Sequence, residues 1–280
     1  MAARTSFGKA TRIIKHFIYC FIAFFQLYPL VWLAFFSLKN NNQIFIGNIA
    51  GFPNPLVWKN YQQIITNGHV FRFFINSIII TGSTLILSTI MISMVSYGII
   101  RMKWRFQKAA LTYILIGLTV PSQAVLLPIF KTLQFLKVFN TYFALILPYT
   151  AFSIPLGVSI MSGYLHTIPY ELEEASLIDG CSVYQMFFRI IFPLLQGAIV
   201  PISIFTFLYC WNELMFAITF VNKQNLKALT SGIMTLMGRY STEWGVIGAG
   251  LFITVIPILI FYMSFGKRIQ ESLLVGAVKG

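Results

Sequence analysis

Long apolar runs alternate with short polar or basic segments along the whole chain. A helix needs about 20 mostly apolar residues to cross a bilayer, and six runs reach this length with few charged positions. They lie at about 17–38, 73–100, 109–130, 139–164, 194–221 and 245–266. Because helices satisfy their own backbone hydrogen bonds in lipid, the pattern predicts an all-α, polytopic membrane protein with six transmembrane helices. Residues 1–280 are then expected to form a single transmembrane domain.

Composition supports a membrane protein. Charged residues make up 10% of the 280 residues, whereas soluble domains average about 25%. The net charge is +13, but the basic residues occur in short clusters between the apolar runs. Such clusters favour anionic membrane lipid over nucleic acid as the partner. Cys20, Cys181 and Cys210 show no paired spacing, which predicts neither a disulfide nor a metal site.

The basic residues also predict an orientation in the membrane. In a six-helix arrangement, twelve of them flank one side and eight flank the other. Four of the twelve lie in the short loop 101–108, and basic residues in short loops mark the cytoplasmic side. Both termini are therefore predicted to be cytoplasmic, together with the long loop 165–193 between the fourth and fifth runs.

That loop contains an acidic segment with the signals of two short helices. Four of the seven acidic residues of the chain occur there, after 170 residues without any: Glu171, Glu173, Glu174 and Asp179. Thr167 is expected to cap the first helix and Pro169 to occupy its first turn, with the acids at the positive end of the helix dipole. Gly180 is expected to end this helix. Ser182 and Gln185 match a capping box that opens a second helix.

Two interpretations of the acidic segment remain open from the residues alone. Charge runs are commonly solvated loops that keep a protein soluble. Here, however, Leu172, Leu177 and Ile178 share the same short helix with the acids. A cytoplasmic helix with one apolar and one acidic part favours docking into a groove on a partner.

The segment Glu174-Ala-Ser-Leu-Ile-Asp-Gly180, followed by Ile190-Ile-Phe-Pro193, resembles the EAA loop of ABC importer permeases. Ser176 replaces the usual second alanine and Phe192 the usual leucine. The resemblance implies the type I importer architecture, in which this loop forms a coupling helix that docks on a separate ATPase. The coupling positions implied in this way are Glu174, Ala175, Ser176, Asp179, Gly180 and Pro193.

Other segments in the same order resemble the smaller, six-helix member of the maltose-type carbohydrate permease heterodimer. They are Asn76-Ser77, 121–128, Asn140-Thr141, Trp211-Asn-Glu213 and 276–280. In such relatives the C-terminus reaches the ATPase interface, which implies contacts by Gly276, Lys279 and Gly280, although Ser272 replaces a usual glycine.

The resemblance also implies the partners and the substrate. The partners are a second, larger permease subunit, a dimer of ATP-binding subunits and an extracytoplasmic solute-binding protein, with a carbohydrate, and specifically an oligosaccharide, as the cargo. The loops 39–72 and 222–244 are candidates for contact with the binding protein; for the first of them, a simple lid over the helix ends is the alternative. No G-x-x-x-x-G-K-[ST] phosphate loop occurs in the sequence. We therefore expect ATP and Mg²⁺ on the partner ATPase, no cofactor on this chain, and no enzymatic activity of its own.

Three alternatives to a carbohydrate importer permease can be considered from the sequence. Import of another polar solute by the same kind of permease stays open. A secondary transporter or channel would explain the spans but not the acidic loop. Ion-coupled carriers also keep ionisable side chains inside the membrane, and the predicted spans contain almost none. A membrane enzyme would need a cluster of His, Asp, Glu or Cys, which the sequence does not suggest.

Candidate residues for the substrate path are the polar and aromatic positions inside the spans: Asn76, Gln123, Trp211, Asn212 and Glu213. For Glu213 the alternative is a carboxylate near the membrane interface that reaches water or pairs with a neighbour. Pro121 and Pro128 are expected to disturb the third helix on either side of Gln123, which frees carbonyl groups that are tolerated where they line a cavity.

Overall fold

The computed structural model describes residues 2–66, 69–237 and 242–277. Across these ranges the regular structure is helical throughout and contains no strand, which confirms the all-α prediction. The α-helices are α1 (Ala2–Ser37), α2 (Asn41–Phe45), α3 (Lys59–Thr66), α4 (Val70–Ile100), α5 (Gln107–Ile116), α6 (Leu126–Phe135), α7 (Phe143–Leu165), α8 (Glu171–Ile178), α9 (Val183–Met186), α10 (Phe192–Leu194), α11 (Gln196–Asn212), α12 (Met215–Phe220), α13 (Leu229–Met234) and α14 (Trp244–Ala277). Short 3₁₀ and π segments connect some of them.

Four helices of the described chain are long and apolar enough to cross a membrane singly. They are Ile14–Ser37 in α1, α4, α7 and Trp244–Gly266 in α14. A fifth candidate is a bent pair, in which Val183–Leu194 meets Gln196–Asn212 at an angle of 74°. Counted by length and composition, the structure therefore offers four to five spans where the sequence predicts six.

The third predicted run, 109–130, is not one continuous helix, which confirms the disturbance expected at Pro121. Helix α5 ends at Ile116, a 3₁₀ turn follows, and α6 begins only at Leu126. The break occurs because Pro121 has no N–H to donate and holds Val120 in an extended conformation, with φ −81° and ψ 111°. Pro128 instead lies in the first turn of α6. Proline is tolerated there because N–H groups in the first turn of a helix have no acceptor within that helix.

The fifth predicted run, 194–221, is also divided. Helix α11 ends at Asn212, and the short α12 begins after Leu214. Between them Glu213 is extended, with φ −68° and ψ 128°. This second break changes the environment of a residue that the sequence assigned to the substrate path.

Packing divides the chain into two compact units, where the sequence predicts a single transmembrane domain. The first unit comprises residues up to Val70 together with Ile233–Ile256. Its longest element is α1, which exposes large apolar side chains such as Phe17 and Phe21 along its described part. In a helix long enough to span a bilayer, such side chains suit contact with lipid.

Two buried polar side chains organise the first unit where α1 ends. Asn60 donates from Nδ2 to the carbonyl oxygens of Ser37 and Lys39, at 2.8 and 2.9 Å. Lys39 is buried, and its Nζ donates to the carbonyl oxygens of Asn48 and Ile49, each at 2.8 Å. Burial lowers the pKa of this amine. From the sequence, Lys39 is one of the basic residues that flank the predicted spans. In the structure its side chain binds the backbone of the loop that follows α2.

The second unit comprises Phe71–Gly232 and the residues from Pro257 onward. Its core consists of two clusters. One joins the C-terminal parts of α4 and α7 to the segment 186–202, and the other joins the middle of α4, the start of α7, α6 and α12. Gly157 of α7 lies directly against Ile92 of α4, so the two helices approach closely at that point. The acidic loop lies on the first of these clusters.

Candidate functional site

Helix α8 forms the acidic segment, and its beginning differs from the prediction. Thr167 does not cap it, because its hydroxyl donates to the carbonyl oxygen of Tyr164 at the end of α7, at 2.8 Å. The helix begins at Glu171, after Tyr170, and Pro169 precedes the helix instead of entering its first turn. The prediction of acidic residues in the first turn is confirmed: three carboxylates occupy it, near the positive end of the helix dipole.

The end of α8 is a Schellman motif, as the glycine predicted. Gly180 has φ +75°, a left-handed conformation that favours glycine. Its N–H donates to the carbonyl oxygen of Leu177 at 3.1 Å, and the N–H of Cys181 donates to the carbonyl oxygen of Ser176 at 3.0 Å. The motif ends α8 sharply and sets the direction in which the chain leaves it.

The second helix of the loop begins with the predicted capping box. The N–H of Ser182 donates to Oε1 of Gln185 at 2.9 Å, and the N–H of Gln185 donates to the Ser182 hydroxyl at 3.3 Å. Helix α9 then continues through a π segment, Phe187–Ile191, into α10, which contains Pro193. The 74° bend follows at Leu195. Pro193 therefore marks the junction between the loop and the fifth candidate span.

The outer part of α8 is exposed and mixes acidic and apolar side chains. Glu174, Ala175 and Asp179 are exposed, and so are Leu177 and Ile178, at 56% and 86%. An apolar side chain as exposed as that of Ile178 is costly in water and suits a surface that another protein covers. This exposure favours the docking interpretation over a solvated loop, and the docking role stays a prediction.

The inner part of α8 contains the one coupling position that is buried. Ser176 is 4% exposed, and its hydroxyl donates to the carbonyl oxygen of Leu172, one turn earlier, at 2.5 Å. The replacement of alanine by serine therefore leaves no unpaired polar group inside.

An arginine that directly follows α4 joins this inner part, a contact that was not among the predictions from the sequence. The Nε of Arg101 lies 3.2 Å from Oε1 of Glu173. Its Nη2 donates to the carbonyl oxygen of Leu165 at 2.8 Å and to that of Ile168 at 2.5 Å. The guanidinium carbon lies 4.0 Å from the centre of the Tyr170 ring. The Arg101 side chain is thus enclosed by the end of α7 and the beginning of α8.

Tyr97, one turn before Arg101 on α4, contacts both helices of the loop. Its hydroxyl donates to Oε2 of Glu173 at 3.3 Å, and its ring centre lies 5.2 Å from that of Phe187. A signal for this arrangement was present in the sequence. A tyrosine and an arginine four positions apart share one face of a helix, here at the end of a span and before an acidic helix.

The structure places the predicted path residue Glu213 inside a network of its own. Its carboxylate accepts the N–H of Phe216 at 2.9 and 3.0 Å and that of Ala217 at 3.2 Å. It also accepts the Tyr149 hydroxyl at 2.8 Å. These contacts cap α12 and agree with the alternative of a carboxylate paired with its neighbours. A role in lining the path stays a prediction.

Asn76 and Trp211 are buried as well. The Asn76 amide is 3% exposed, donates to the carbonyl oxygens of Asn225 and Lys227 and accepts the Tyr142 hydroxyl. Trp211 is 5% exposed and stacks on Phe207, with ring centres 5.4 Å apart. Asn76 connects α4 to the segment 225–227, and Trp211 connects α11 to α4, because its ring centre also lies 6.0 Å from that of Phe74.

Gln123 and Asn212 differ from these residues because their side chains are exposed. Gln123 lies in the turn after Pro121, between α5 and α6, while Asn212 donates to the carbonyl oxygen of Leu208. The structure therefore does not bring the five predicted path residues into one site.

A cleft of about 120 Å³ lies between α7 and α11 and contains none of those five residues. Its lining is aromatic and aliphatic with three hydroxyl-bearing side chains, those of Ser153, Thr206 and Tyr209; the other lining residues are Phe152, Leu156, Gly157, Ile202 and Phe205. Of the tail residues, Gly276 lies in α14, whereas Lys279 and Gly280 fall outside the described residues.

Comparison with known proteins agrees with this arrangement. The family described as "Binding-protein-dependent transport system inner membrane component" matches residues 89–274. The probable ABC transporter permease protein YurM of Bacillus subtilis is 34% identical over 90% of this chain and 84% of its own length. The arabinooligosaccharides transport system permease protein AraQ of Halalkalibacterium halodurans is 30% identical over 94% of both chains. The sulfoquinovosyl glycerol transport system permease protein SmoH of Agrobacterium fabrum is 29% identical over 91% of this chain and 89% of its own.

A solved structure shares the fold. It is a bacterial ABC transporter involved in the import of the acidic polysaccharide alginate, with a TM-score of 0.79, 18% identity, and coverage of 92% of this chain and 96% of that chain. The family match includes α8 and the whole loop around it. The chain belongs to the binding-protein-dependent transport system inner membrane components and is a membrane-spanning permease subunit of an ABC transporter.

Proposed function

We propose that the chain is the smaller of two permease subunits in an ATP-driven importer whose cargo is a carbohydrate, and specifically an oligosaccharide. Two relatives support this substrate class, because one is named for arabinooligosaccharides and the other for sulfoquinovosyl glycerol, and both of these solutes are rich in hydroxyl groups. ATP and Mg²⁺ bind to a separate ATPase dimer, and this chain transmits the resulting movement. Import of a different polar solute by the same assembly is the alternative.

The observation that carries the proposal is the exposed face of α8. A short helix, ended sharply by Gly180, presents Leu177, Ile178 and Glu174 to a partner while its other face is fixed to α4. A rigid helix with an apolar and acidic outer face suits a cleft on a motor subunit. Glu174, Ala175, Asp179 and Gly180 form this contact, and the C-terminal residues Gly276, Lys279 and Gly280 add to it.

The proposed topology has six crossings and both termini in the cytoplasm. Helices α5 and α6, on the two sides of the Pro121 break, supply the crossing that no single helix provides. The basic loop 101–108, beside the buried Arg101, lies on the cytoplasmic side with α8.

On the other side of the membrane, the solute-binding protein delivers the cargo to the loops 39–72 and 222–244. A second, larger permease subunit completes the path. The cleft between α7 and α11 offers Phe152 and Tyr209 as aromatic faces and Ser153 and Thr206 as hydroxyls, a combination that suits a polyhydroxylated solute.

Substitution of Gly180 tests the coupling part of this proposal. Gly180→Pro abolishes ATP-driven uptake, because proline fixes φ near −65° and cannot adopt the left-handed conformation at φ +75°. Gly180→Asn, which tolerates that conformation, retains most of the uptake. Uptake of a labelled oligosaccharide is measured in liposomes that contain the complete transporter, after insertion of each variant is verified.

A charge reversal on the exposed face gives an independent test. Glu174→Lys abolishes uptake, whereas Glu171→Lys, a matched change in the same exposed first turn, reduces it much less. Normal uptake by either Glu174→Lys or Gly180→Pro contradicts the coupling role. Uptake that continues without ATP contradicts the importer, and a solute-binding partner that binds no member of a sugar panel contradicts the substrate class.

A further inference from the structure

We propose that Arg101 is the positioning residue that makes α8 move as one body with α4 and α7, so that movement of the coupling helix reaches the spans. The proposal rests on the coupling role proposed for α8. This function requires more than the positive charge that any basic residue at the end of a span would supply.

Burial separates Arg101 from the other basic residues of its loop. Its side chain is 1% exposed, whereas Lys103, Arg105 and Lys108 are exposed and free to meet lipid headgroups. A cation so deeply buried is destabilising unless its contacts replace the lost water. Attraction to the cytoplasmic leaflet therefore does not explain the position of this side chain.

The contacts of Arg101 use the shape of the guanidinium group as well as its charge. The Nε lies 3.2 Å from the Glu173 carboxylate, the Nη2 donates to two carbonyl oxygens, and the guanidinium carbon lies 4.0 Å from the centre of the Tyr170 ring. Among the described residues, Nε and Nη1 make no hydrogen bond. A lysine ammonium has neither the planar donors nor the stacking face needed to make these contacts together. The site is built for arginine.

These contacts join three separate elements at one point. Arg101 directly follows α4, Leu165 is the last residue of α7, and Glu173 lies in the first turn of α8. The carbonyl oxygen of Leu165 accepts the N–H of Ile168 and also Nη2 of Arg101, which donates in turn to the carbonyl oxygen of Ile168. The segment between α7 and α8 is consequently held at both of its ends.

The Glu173 side chain completes the connection from the other side. Its carboxylate is 12% exposed and meets both the hydroxyl of Tyr97, in the last turn of α4, and Arg101, which directly follows that helix. The side chains that would grip a motor subunit, Glu174, Leu177 and Ile178, are exposed. Helix α8 thus has one face fixed to the spans and one face open to a partner.

The mechanical consequence follows from this division. Without the Arg101 contacts, α8 remains attached to α7 through the five residues 166–170, whose backbone torsions can absorb a displacement. With the contacts in place, a displacement of α8 is passed to α4 and α7. Loss of the arginine should therefore reduce transport per ATP hydrolysed more than it reduces insertion or assembly.

The test compares variants in the complete transporter, reconstituted in liposomes with its permease, ATPase and binding-protein partners. Arg101→Gln removes the anchor, and Arg105→Gln is the matched control in the same loop. Arg101→Lys keeps the charge. Oligosaccharide uptake and ATP hydrolysis are measured in the same preparation, and their ratio is the readout.

We expect Arg101→Gln to lower the uptake-to-hydrolysis ratio at least about fivefold, as for loss of a coupling contact. Arg101→Lys restores only part of the ratio, and Arg105→Gln leaves it unchanged. A ratio for Arg101→Gln equal to that of Arg105→Gln overturns the proposal. If Arg101→Gln does not insert, Glu173→Gln decides, because it removes the ion pair and leaves the carbonyl contacts: a lowered ratio supports the proposal and an unchanged ratio overturns it.

Failure of this inference is distinguishable from failure of the proposed function. If Gly180→Pro abolishes uptake while the Arg101 variants keep a normal ratio, α8 couples the ATPase without this anchor. If Gly180→Pro transports normally, the coupling role of the loop itself is contradicted.

Discussion

Two partly buried carboxylates, Glu173 and Glu213, are held in different ways. Glu173, in the first turn of α8, meets a buried arginine and the Tyr97 hydroxyl, both from another helix. Glu213, at the break between α11 and α12, meets backbone N–H groups of the helix that follows it and the Tyr149 hydroxyl. Each carboxylate accepts a tyrosine hydroxyl, but only Glu173 has a side-chain cation as its partner.

The two carboxylates therefore differ in which parts of the chain they hold in place. A carboxylate bound to the N–H groups of the next helix sets local geometry, because donor and acceptor are neighbours in sequence. A carboxylate paired with a distant arginine sets the distance between separate elements. Glu213 is therefore expected to govern stability, whereas Glu173 is expected to govern how movement passes between helices.

The largest effect that tests this comparison is loss of the Glu213 carboxylate. We expect Glu213→Ala to lower the free energy of unfolding in detergent by about 3 kcal/mol, because charge-assisted hydrogen bonds to α12 are lost. Glu213→Gln, which keeps an acceptor, costs roughly half of that. Thermal unfolding followed by circular dichroism measures both variants.

The exposed Glu171 supplies the control for this series. Glu171→Ala should change the free energy of unfolding by less than about 0.5 kcal/mol. If Glu213→Gln keeps full stability but changes which sugars are transported, the carboxylate lines the substrate path and the stability role assigned to Glu213 is wrong.

A smaller effect separates the two tyrosine hydroxyls. Tyr149 is 1% exposed and donates to Glu213 at 2.8 Å, whereas Tyr97 donates to Glu173 at the longer distance of 3.3 Å. Tyr149→Phe should cost about 1 kcal/mol of unfolding free energy and Tyr97→Phe less than about 0.5 kcal/mol. The same unfolding experiment checks the order, and a larger cost for Tyr97→Phe would reverse the comparison.

The smallest expected effect concerns the buried face of α8. Ser176→Ala removes a hydroxyl that bonds only to its own helix, so stability should change by less than about 0.5 kcal/mol and uptake should stay normal. Ser176→Leu, at the same buried position, should displace α8 from α4 and lower uptake. A marked loss of uptake in Ser176→Ala would show that the hydroxyl has a role beyond packing.

Several features of the acidic loop 165–193 and of the third apolar run were predictable because they follow from local chemistry. Gly180 ends α8 in a left-handed conformation, Ser182 and Gln185 form the capping box, and Pro121 breaks the third apolar run. In each case the residue type restricts its own backbone or that of its neighbours within four positions. Such rules act before any tertiary contact exists.

One local prediction failed where a neighbouring element competed. Thr167 has the chemistry of a helix cap, but its hydroxyl serves a carbonyl group at the end of α7 and α8 starts later. The break after Asn212 turns the Glu213 carboxylate toward α12, and a role for Glu213 in lining the substrate path stays a prediction. Sequence patterns do not show which of two nearby partners a polar group will choose.

By itself, the sequence determined that the chain is a helical membrane protein with a punctuated acidic loop, because apolar run length and turn chemistry depend on residue types close together in the chain. Only the tertiary structure decided the partners of the buried charges. Arg101 reaches carbonyl oxygens 64 and 67 positions away, and it appears in sequence as one of four similar basic residues in a short loop. Its role depends on burial and on three elements meeting at one point, which helix packing alone establishes.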